Sequence, residues 1–422
     1  MILAIAITLI LAMLAMGTHV AVALGVVTAV IVLSVSAVPA IVIAQTAFSS
    51  VNSYPLIAIP MFILAGNLMM RGGIAELMID LIGSLVRAVR GGLALTVLAG
   101  SVFFAAVSGS SVGSAAAIGR STVAGLREEK YPPRFAAAIV AVGGTLGLMI
   151  PPSLGFILIG SIVGLPIDRL FIAGLLPGLM EAVLLGFTTF WISRRQGYGA
   201  KIAQPDWRQF GRLMPRAFPA ILMPVLVLGA IYTGYMTPTE VSAFAAAYAT
   251  FLGFVIYRSL NLSQFWQTAR ESLLQTSMIF AVVMGGSLLG FILARMGVSA
   301  QLVASLQEAG LTWWQFIIVV NIVLLILGMF LDGIALIVLT APLLFPMATA
   351  LGIDPVHFAV IMVANVEIAT LTPPIGLNLF VMSGIARIPV HEVARGVLPF
   401  YAVRLLGLGL ISFVPAISLA LL

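Results

Sequence analysis

The stretch Leu148–Ser161, LMIPPSLGFILIGS, decides how the rest of the chain is read. It sets two prolines inside an apolar run of about 30 residues, where each proline removes a backbone donor and clashes with the preceding turn. A helix through this stretch has to break. Broken backbone at membrane depth survives only when it is buried in protein or lines a watery cavity, so the freed carbonyls need partners there. The pattern then occurs a second time, as TLTPPIGLNLFVMS at Thr370–Ser383. Pro151 and Pro152 match Pro373 and Pro374, Ser161 matches Ser383, and Gly174, Leu176 and Pro177 match Gly396, Leu398 and Pro399, all 222 positions apart. Upstream, Phe135 meets Phe358 at an offset of 223, and Arg71 and Gly73 meet Arg295 and Gly297 at 224. Drifts this small are changes in loop length, and the chain is a two-fold repeat.

Composition fixes the class around this repeat. Of 422 residues, 62% are hydrophobic and 8% charged, and the mean hydropathy is +1.20; a soluble domain carries about a quarter of charged residues. This is a polytopic membrane protein. Apolar runs near the ~20 residues of a membrane-spanning helix recur from Ile2 to Leu422. The longest polar stretch, Ser193–Arg216, is too short for a soluble catalytic domain. The first run, Ile2–Met16, lacks a basic leader and a small-residue cleavage site, so it is expected to be a retained helix. Cysteine is absent, which excludes disulfides, thiolate metal sites and a cysteine nucleophile.

The net charge of +6 is a matter of topology. With the N-terminus outside, eighteen of the twenty basic residues, Lys201 and Arg404 among them, fall in loops on the inner side, leaving only Arg169 and Arg295 outside. Under the positive-inside rule this bias orients the chain, with both termini outside, and no nucleic-acid patch is expected.

Each half reads as three helices, two short apolar segments around a polar tip, a helix broken in its middle, and a last helix. Residues 1–195 form the first half, 196–217 an inner linker and 218–422 the second half, and the loop charges give the halves opposite orientation. In the first half the short segments, Gly92–Val107 and Val112–Leu126, are each about 15 residues, or roughly 22 Å of helix against a hydrocarbon core of about 30 Å. They fall short of spanning and predict a re-entrant hairpin with SGSS, Ser108–Ser111, at its tip, although a pair of full spans would give the same loop-charge parity. Thr312–Met329 and Ile334–Leu351 predict the mirror hairpin, with FLDG, Phe330–Gly333, at its tip. The predicted fold is therefore all-α: an inverted repeat of about ten spanning helices, two of them broken, plus two re-entrant hairpins.

Two hairpin tips and two breaks, related by a pseudo-two-fold, converge near the midplane. Half-helix carbonyl ends there suit a small hard cation and amide ends suit an anion, so SGSS reads as one quarter of a binding site. Small residues also let helices pack closely in lipid, as in the spacing Gly143 to Gly147. GSSVG, Gly109–Gly113, satisfies the G-x-S-x-G elbow of serine hydrolases, but that elbow needs a strand-to-helix turn and a histidine partner. His19, His357 and His391 are scattered, so neither a hydrolase nor a transition-metal site is expected.

Three carboxylates lie at membrane depth, where a charge is costly and by default functional. Asp332 sits at the second tip, opposite Ser110, and three roles are open to it: cation ligand, acceptor of tip N–H groups, or partner of Arg295. Glu367 precedes the second break as either a ligand or a salt-bridge partner, and Glu181 suits packing between helices. Glu240, in TPTE at an outer turn, suits a helix N-terminal cap. Trp313 and Trp314 read as an interfacial anchor.

Seven stretches in order carry a resemblance: YPLIAIPMFILAGNLM (Tyr54–Met69), RGGLA with FFAAVSGSS (Arg90–Ser111), GTLGLMIPPS (Gly144–Ser153), TPTE (Thr237–Glu240), GMFLD (Gly328–Asp332), GIDPVHF (Gly352–Phe358) and TPPIGLNLF (Thr372–Phe380). Over nearly its whole length the sequence resembles the large membrane (permease) subunit of the tripartite ATP-independent periplasmic, or TRAP, transporters of organic acids. The resemblance implies no enzyme but an elevator-type secondary transporter of a bacterial inner membrane, coupling Na⁺ to uptake of a carboxylate, with no organic cofactor. It implies two partners, a small membrane subunit of about four helices and a periplasmic substrate-binding protein. By motif match the cation and substrate candidates are Ser108, Gly109, Ser110 and Ser111; Gly144, Thr145, Gly147, Pro151 and Pro152; Gly328, Asp332 and Gly333; and Glu367, Thr370, Thr372, Pro373 and Asn378. The same resemblance sets Glu240 and Arg295 toward the binding protein. Two departures stand out: His19 replaces an expected proline after Gly17–Thr18, and Ala369 replaces an expected glycine before the second break. A self-sufficient ion-coupled anion carrier without a binding protein is the alternative within transport. A membrane anchor without transport would not need paired breaks.

Overall fold

The computed structural model describes residues 2–35, 38–199 and 204–422, and every regular element among them is helical. The first half contains α1 (Ile2–Ala15), α2 (Val20–Val35), α3 (Ala40–Val51), a 3-10 turn at Tyr54–Ile57 leading into α4 (Ala58–Arg71), and α5 (Ile74–Val86). Then come α6 (Gly92–Ser108), α7 (Ser111–Glu128), α8 (Pro133–Met149), α9 (Leu154–Val163) and α10 (Ile167–Gln196). The second half has α11 (Trp207–Tyr232), α12 (Pro238–Phe251) ending in a π turn, α13 (Leu262–Arg295) and α14 (Val298–Glu308). It continues with α15 (Trp313–Gly328), α16 (Gly333–Ala350), α17 (Pro355–Ala369), α18 (Leu377–Ala386), α19 (Val390–Phe413) and a last turn, α20 (Ala416–Leu419).

The two short pairs are α6 with α7 and α15 with α16, within two residues of the expected bounds. Both Pro-Pro runs interrupt helices as expected, between α8 and α9 and between α17 and α18. Three features differ. Before each pair there is an extra short helix, α5 or α14, because the chain turns through left-handed Gly73 and Gly297. The stretch 196–217 is loop only in part, since Asp206 accepts the Gln209 N–H and starts α11 at Trp207; Lys201 lies outside the described residues. Among the described residues eight helices are long and apolar enough to cross a membrane, against the ten expected. At 14 and 16 residues α1 and α2 are shorter, the second broken helix is divided by a longer gap, and the 18-residue hairpin arm α16 qualifies instead.

Local chemistry sets the helix starts. Thr237 and Glu240 form a capping box at α12, Asn261 and Gln264 one at α13, and Thr312 and Gln315 one at α15. The α12 box realises the capping role expected of Glu240. At position 19, where proline was expected, the His19 carbonyl accepts the N–H groups of Val22 and Ala23 in the first turn of α2, bonds that a proline carbonyl would accept equally.

Packing centres on the two broken helices. Every residue from Phe135 to Met149 of α8 and from Val356 to Ala369 of α17 is buried. The arms α6, α7 and α18 surround α8, and α15 and α16 flank α17, while α10 and α19 pack on both. Around this group runs a second one: α13 lies along α2, α3 and α4, α12 on α4, and α11 on α5. The Gly286 backbone lies where a Cβ would come within 2.2 Å of Val338, so α13 meets hairpin arm α16 closely.

Candidate functional site

Each hairpin tip is stitched to the break of its own half. The Leu154 N–H, at the start of α9, donates to the Gly109 carbonyl at 3.2 Å. In the second half the Ile375 N–H donates to the Met329 carbonyl, also at 3.2 Å. Both breaks contain a cis Pro–Pro bond. Left-handed Gly109 has its backbone where a Cβ would lie 2.6 Å from the Pro152 carbonyl, so only glycine lets the tip reach the break.

The helices that begin here have polar starts. Ser110 accepts the Gly113 N–H to cap α7, Ser153 accepts Phe156 N–H to cap α9, and Asp332 accepts the Ala335 N–H at 3.0 Å to cap α16. The fourth, α18, starts at left-handed Gly376 without a side-chain cap. Helix N-termini carry partial positive charge and exposed donors, so four such ends around one region suit an anion.

One contact joins the halves at this level. Asn378 on α18 donates from Nδ2 to Ser111 Oγ at 2.7 Å and to the Ala141 carbonyl of α8 at 3.0 Å. Its N–H donates to the Thr370 carbonyl, while its buried Oδ1 has no partner. Ser108 Oγ pairs with Ser114 Oγ at 2.7 Å, bracing the tip from the next turn. Thr370 and Thr372 turn their hydroxyls onto the carbonyls of Glu367 and Ile368, and Thr372 also meets Tyr401. Oxygen atoms of this kind, including one buried amide oxygen left over, fit a small hard cation. The breaks differ in exposure: Pro151 and Pro152 are buried, Pro373 and Pro374 are exposed.

The remaining glycine candidates set distances between helices. A Cβ on Gly144 would lie 2.6 Å from Ala115 Cβ, one on Gly147 2.8 Å from the Ser110 carbonyl, and one on Gly333 2.5 Å from Val366. A Cβ on Gly328 would lie 2.2 Å from Ala369 Cβ. The methyl of Ala369 therefore fills space that Gly328 leaves open, and the departure from glycine before the second break is accommodated by the hairpin.

The carboxylates resolve differently. Asp332 is a half-buried cap, and no ion pair with Arg295 forms; Arg295 is exposed at the end of α13. Glu367 and Glu181 both bind Arg404, whose Nη1 lies 3.0 Å from Glu367 Oε2 and also donates to Glu181 Oε2. Arg404 Nη2 donates to Thr145 Oγ1. All three side chains are at most 1% exposed, so Arg404 is a buried residue inside α19 and not a loop residue. Glu181 is an ion-pair partner rather than packing alone. Sequence reading missed Arg404 as a site neighbour, although a lone arginine in VRLLGLGL carried the signal. It also missed the chain from Asn365 through Asn321 to Ser412, which ties α17, α15 and α19. Glu240 is exposed, its carboxylate held by the Thr237 N–H and hydroxyl.

Comparison with known proteins follows the same outline. Residues 7–417 match the family described as tripartite ATP-independent periplasmic transporter, DctM component. The C4-dicarboxylate TRAP transporter large permease protein DctM of Pseudomonas aeruginosa is 38% identical over 89% of this chain and 87% of its own. That of Rhodobacter capsulatus is 36% identical over 98% and 97%, and the sialic acid TRAP transporter large permease protein SiaM of Vibrio cholerae 34% over 90% and 88%. Among solved structures, the Alcanivorax borkumensis YdaH transporter shares the fold with a TM-score of 0.61, at 16% identity, over 93% of this chain and 96% of that one.

Proposed function

Because the chain belongs to the tripartite ATP-independent periplasmic transporter family as its DctM component, a multi-pass membrane permease and not an enzyme, we propose that it imports a small organic acid by coupling to Na⁺. Membership implies a small membrane subunit and a periplasmic binding protein. The substrate is a carboxylate handed over by that binding protein, in keeping with relatives named for C4-dicarboxylate and sialic acid. The chain sits in a bacterial inner membrane with both termini in the periplasm.

The observation that carries this reading is the bond from Asn378 to Ser111, which brings the first hairpin tip against the second break. Four helix N-termini offer N–H groups to the carboxylate, and Asn378 Oδ1, the tip hydroxyls and the break carbonyls offer oxygen to Na⁺. The two halves are inverted repeats and both pairs are re-entrant hairpins. With the broken helices they move as one elevator unit against the group built on α13. The site needs no ATP, and a gradient of Na⁺ drives it.

Uptake of labelled carboxylates into proteoliposomes containing this chain and its small subunit tests the proposal. Uptake that requires both an inward Na⁺ gradient and the binding protein is expected. Uptake without the binding protein would instead establish the self-sufficient carrier, and uptake indifferent to Na⁺ would remove the coupling ion.

A further inference from the structure

Thr145 and Glu367 are 222 positions apart, the offset of the two Pro-Pro pairs, and each stands six positions before the first proline of its break. They are equivalent places in the two halves. One side chain touches both: Arg404, with Nη2 on Thr145 and Nη1 on Glu367. Its third partner, Glu181 on α10, lies 223 positions earlier and so one step from its own equivalent in the repeat. The group therefore lies where the two halves meet, joining α8, α10, α17 and α19.

We infer that Arg404 is a positioning residue that couples the two breaks, so that occupancy of one is felt at the other. A guanidinium is planar, always charged and without acceptors, so its fork fixes the directions of its partners. Buried at 1% exposure, it has no water to take their place. A shift of α8 as its break closes on a ligand must move Thr145 against Arg404, and Glu367 with it. Thr145 sits in a buried stretch of α8, where Gly143, Gly144 and Gly147 all pack at distances a Cβ would violate. The arginine is thus the polar member of a rigid core rather than a group that contacts the cargo. This inference rests on the proposal that the breaks hold Na⁺.

Two variants test it in the complete transporter reconstituted with its small subunit. Arg404→Lys keeps the charge and loses the fork; the combined R404Q, E181Q and E367Q variant removes all three charges together, so no buried carboxylate is stranded. Amide hydrogen exchange of segments 141–153 and 361–376 is the first reading and needs no Na⁺. Both segments are expected to lose protection together, with the hairpin arms α6 and α15 unchanged. The second reading is the Na⁺ dependence of uptake, with half-saturation rising about tenfold and a Hill coefficient falling toward one. Loss of protection confined to α19 or to one break overturns the coupling, as does an unchanged Na⁺ curve in a folded variant. If the unmodified transporter ignores Na⁺, the coupling ion is wrong, and the exchange reading alone decides the role of Arg404.

Discussion

Asn378 and Ser111 are 267 positions apart and joined by a hydrogen bond of 2.7 Å from the Asn378 amide to the serine hydroxyl. The bond locks a hairpin tip of one half to the first turn of α18 in the other. Both residues are buried, so removing either leaves polar groups without water.

Asn378→Ala strands the Ser111 hydroxyl, takes a second donor from the Ala141 carbonyl inside α8 and removes the unpartnered Oδ1. A loss of about 5- to 150-fold in uptake is expected, corresponding to the 1–3 kcal/mol cost of an unsatisfied buried group. Ser111→Ala is expected to lose less, and the double variant little more than Asn378→Ala alone. Strictly additive losses in this cycle, measured as initial uptake rates, would deny that the two residues act as a pair.

Gly328 and Ala369 form a size pair. Gly328→Ala is expected to destabilise by about 1–3 kcal/mol through overpacking, and adding Ala369→Gly should restore the loss. Thermal unfolding of the purified protein gives the reading. A Gly328→Ala variant that melts like the parent would mean that the tip of hairpin α15–α16 yields without cost.

Asp332 caps α16, and asparagine caps a helix as well as aspartate does. Asp332→Asn is therefore expected to keep stability while losing uptake, because the charge at the tip is gone. Asp332→Ala should lose uptake and also about 1 kcal/mol of stability. Full uptake by Asp332→Asn would reduce the residue to its capping role.

The box at α12 separates stability from docking. Thr237→Ala removes the acceptor for the Glu240 N–H and is expected to cost about 1 kcal/mol. Glu240→Gln can keep the box. If this surface meets the binding protein, that variant should raise the concentration of binding protein needed for half-maximal uptake, with unfolding unchanged. An unchanged requirement would move the docking surface elsewhere.

The sequence by itself determined the membrane class, the two breaks, the bounds of both hairpin pairs and the stretches that mark the family. These are local properties: proline forbids a continuous helix wherever it sits, and an apolar run has its length whatever surrounds it. What only the tertiary structure decided is which polar groups meet. Arg404 was read as one of the inner-loop charges, although its partners Thr145 and Glu181 lie 259 and 223 positions away. The fit of Ala369 against Gly328 and the pairing of Asn378 with Ser111 were equally hidden. In a soluble helix the polar face would have shown which side turns inward. Here lipid-facing and protein-facing sides are both apolar, so the pattern along α8, α17 and α19 holds no record of their neighbours, and burial and pairing are fixed only when the helices pack.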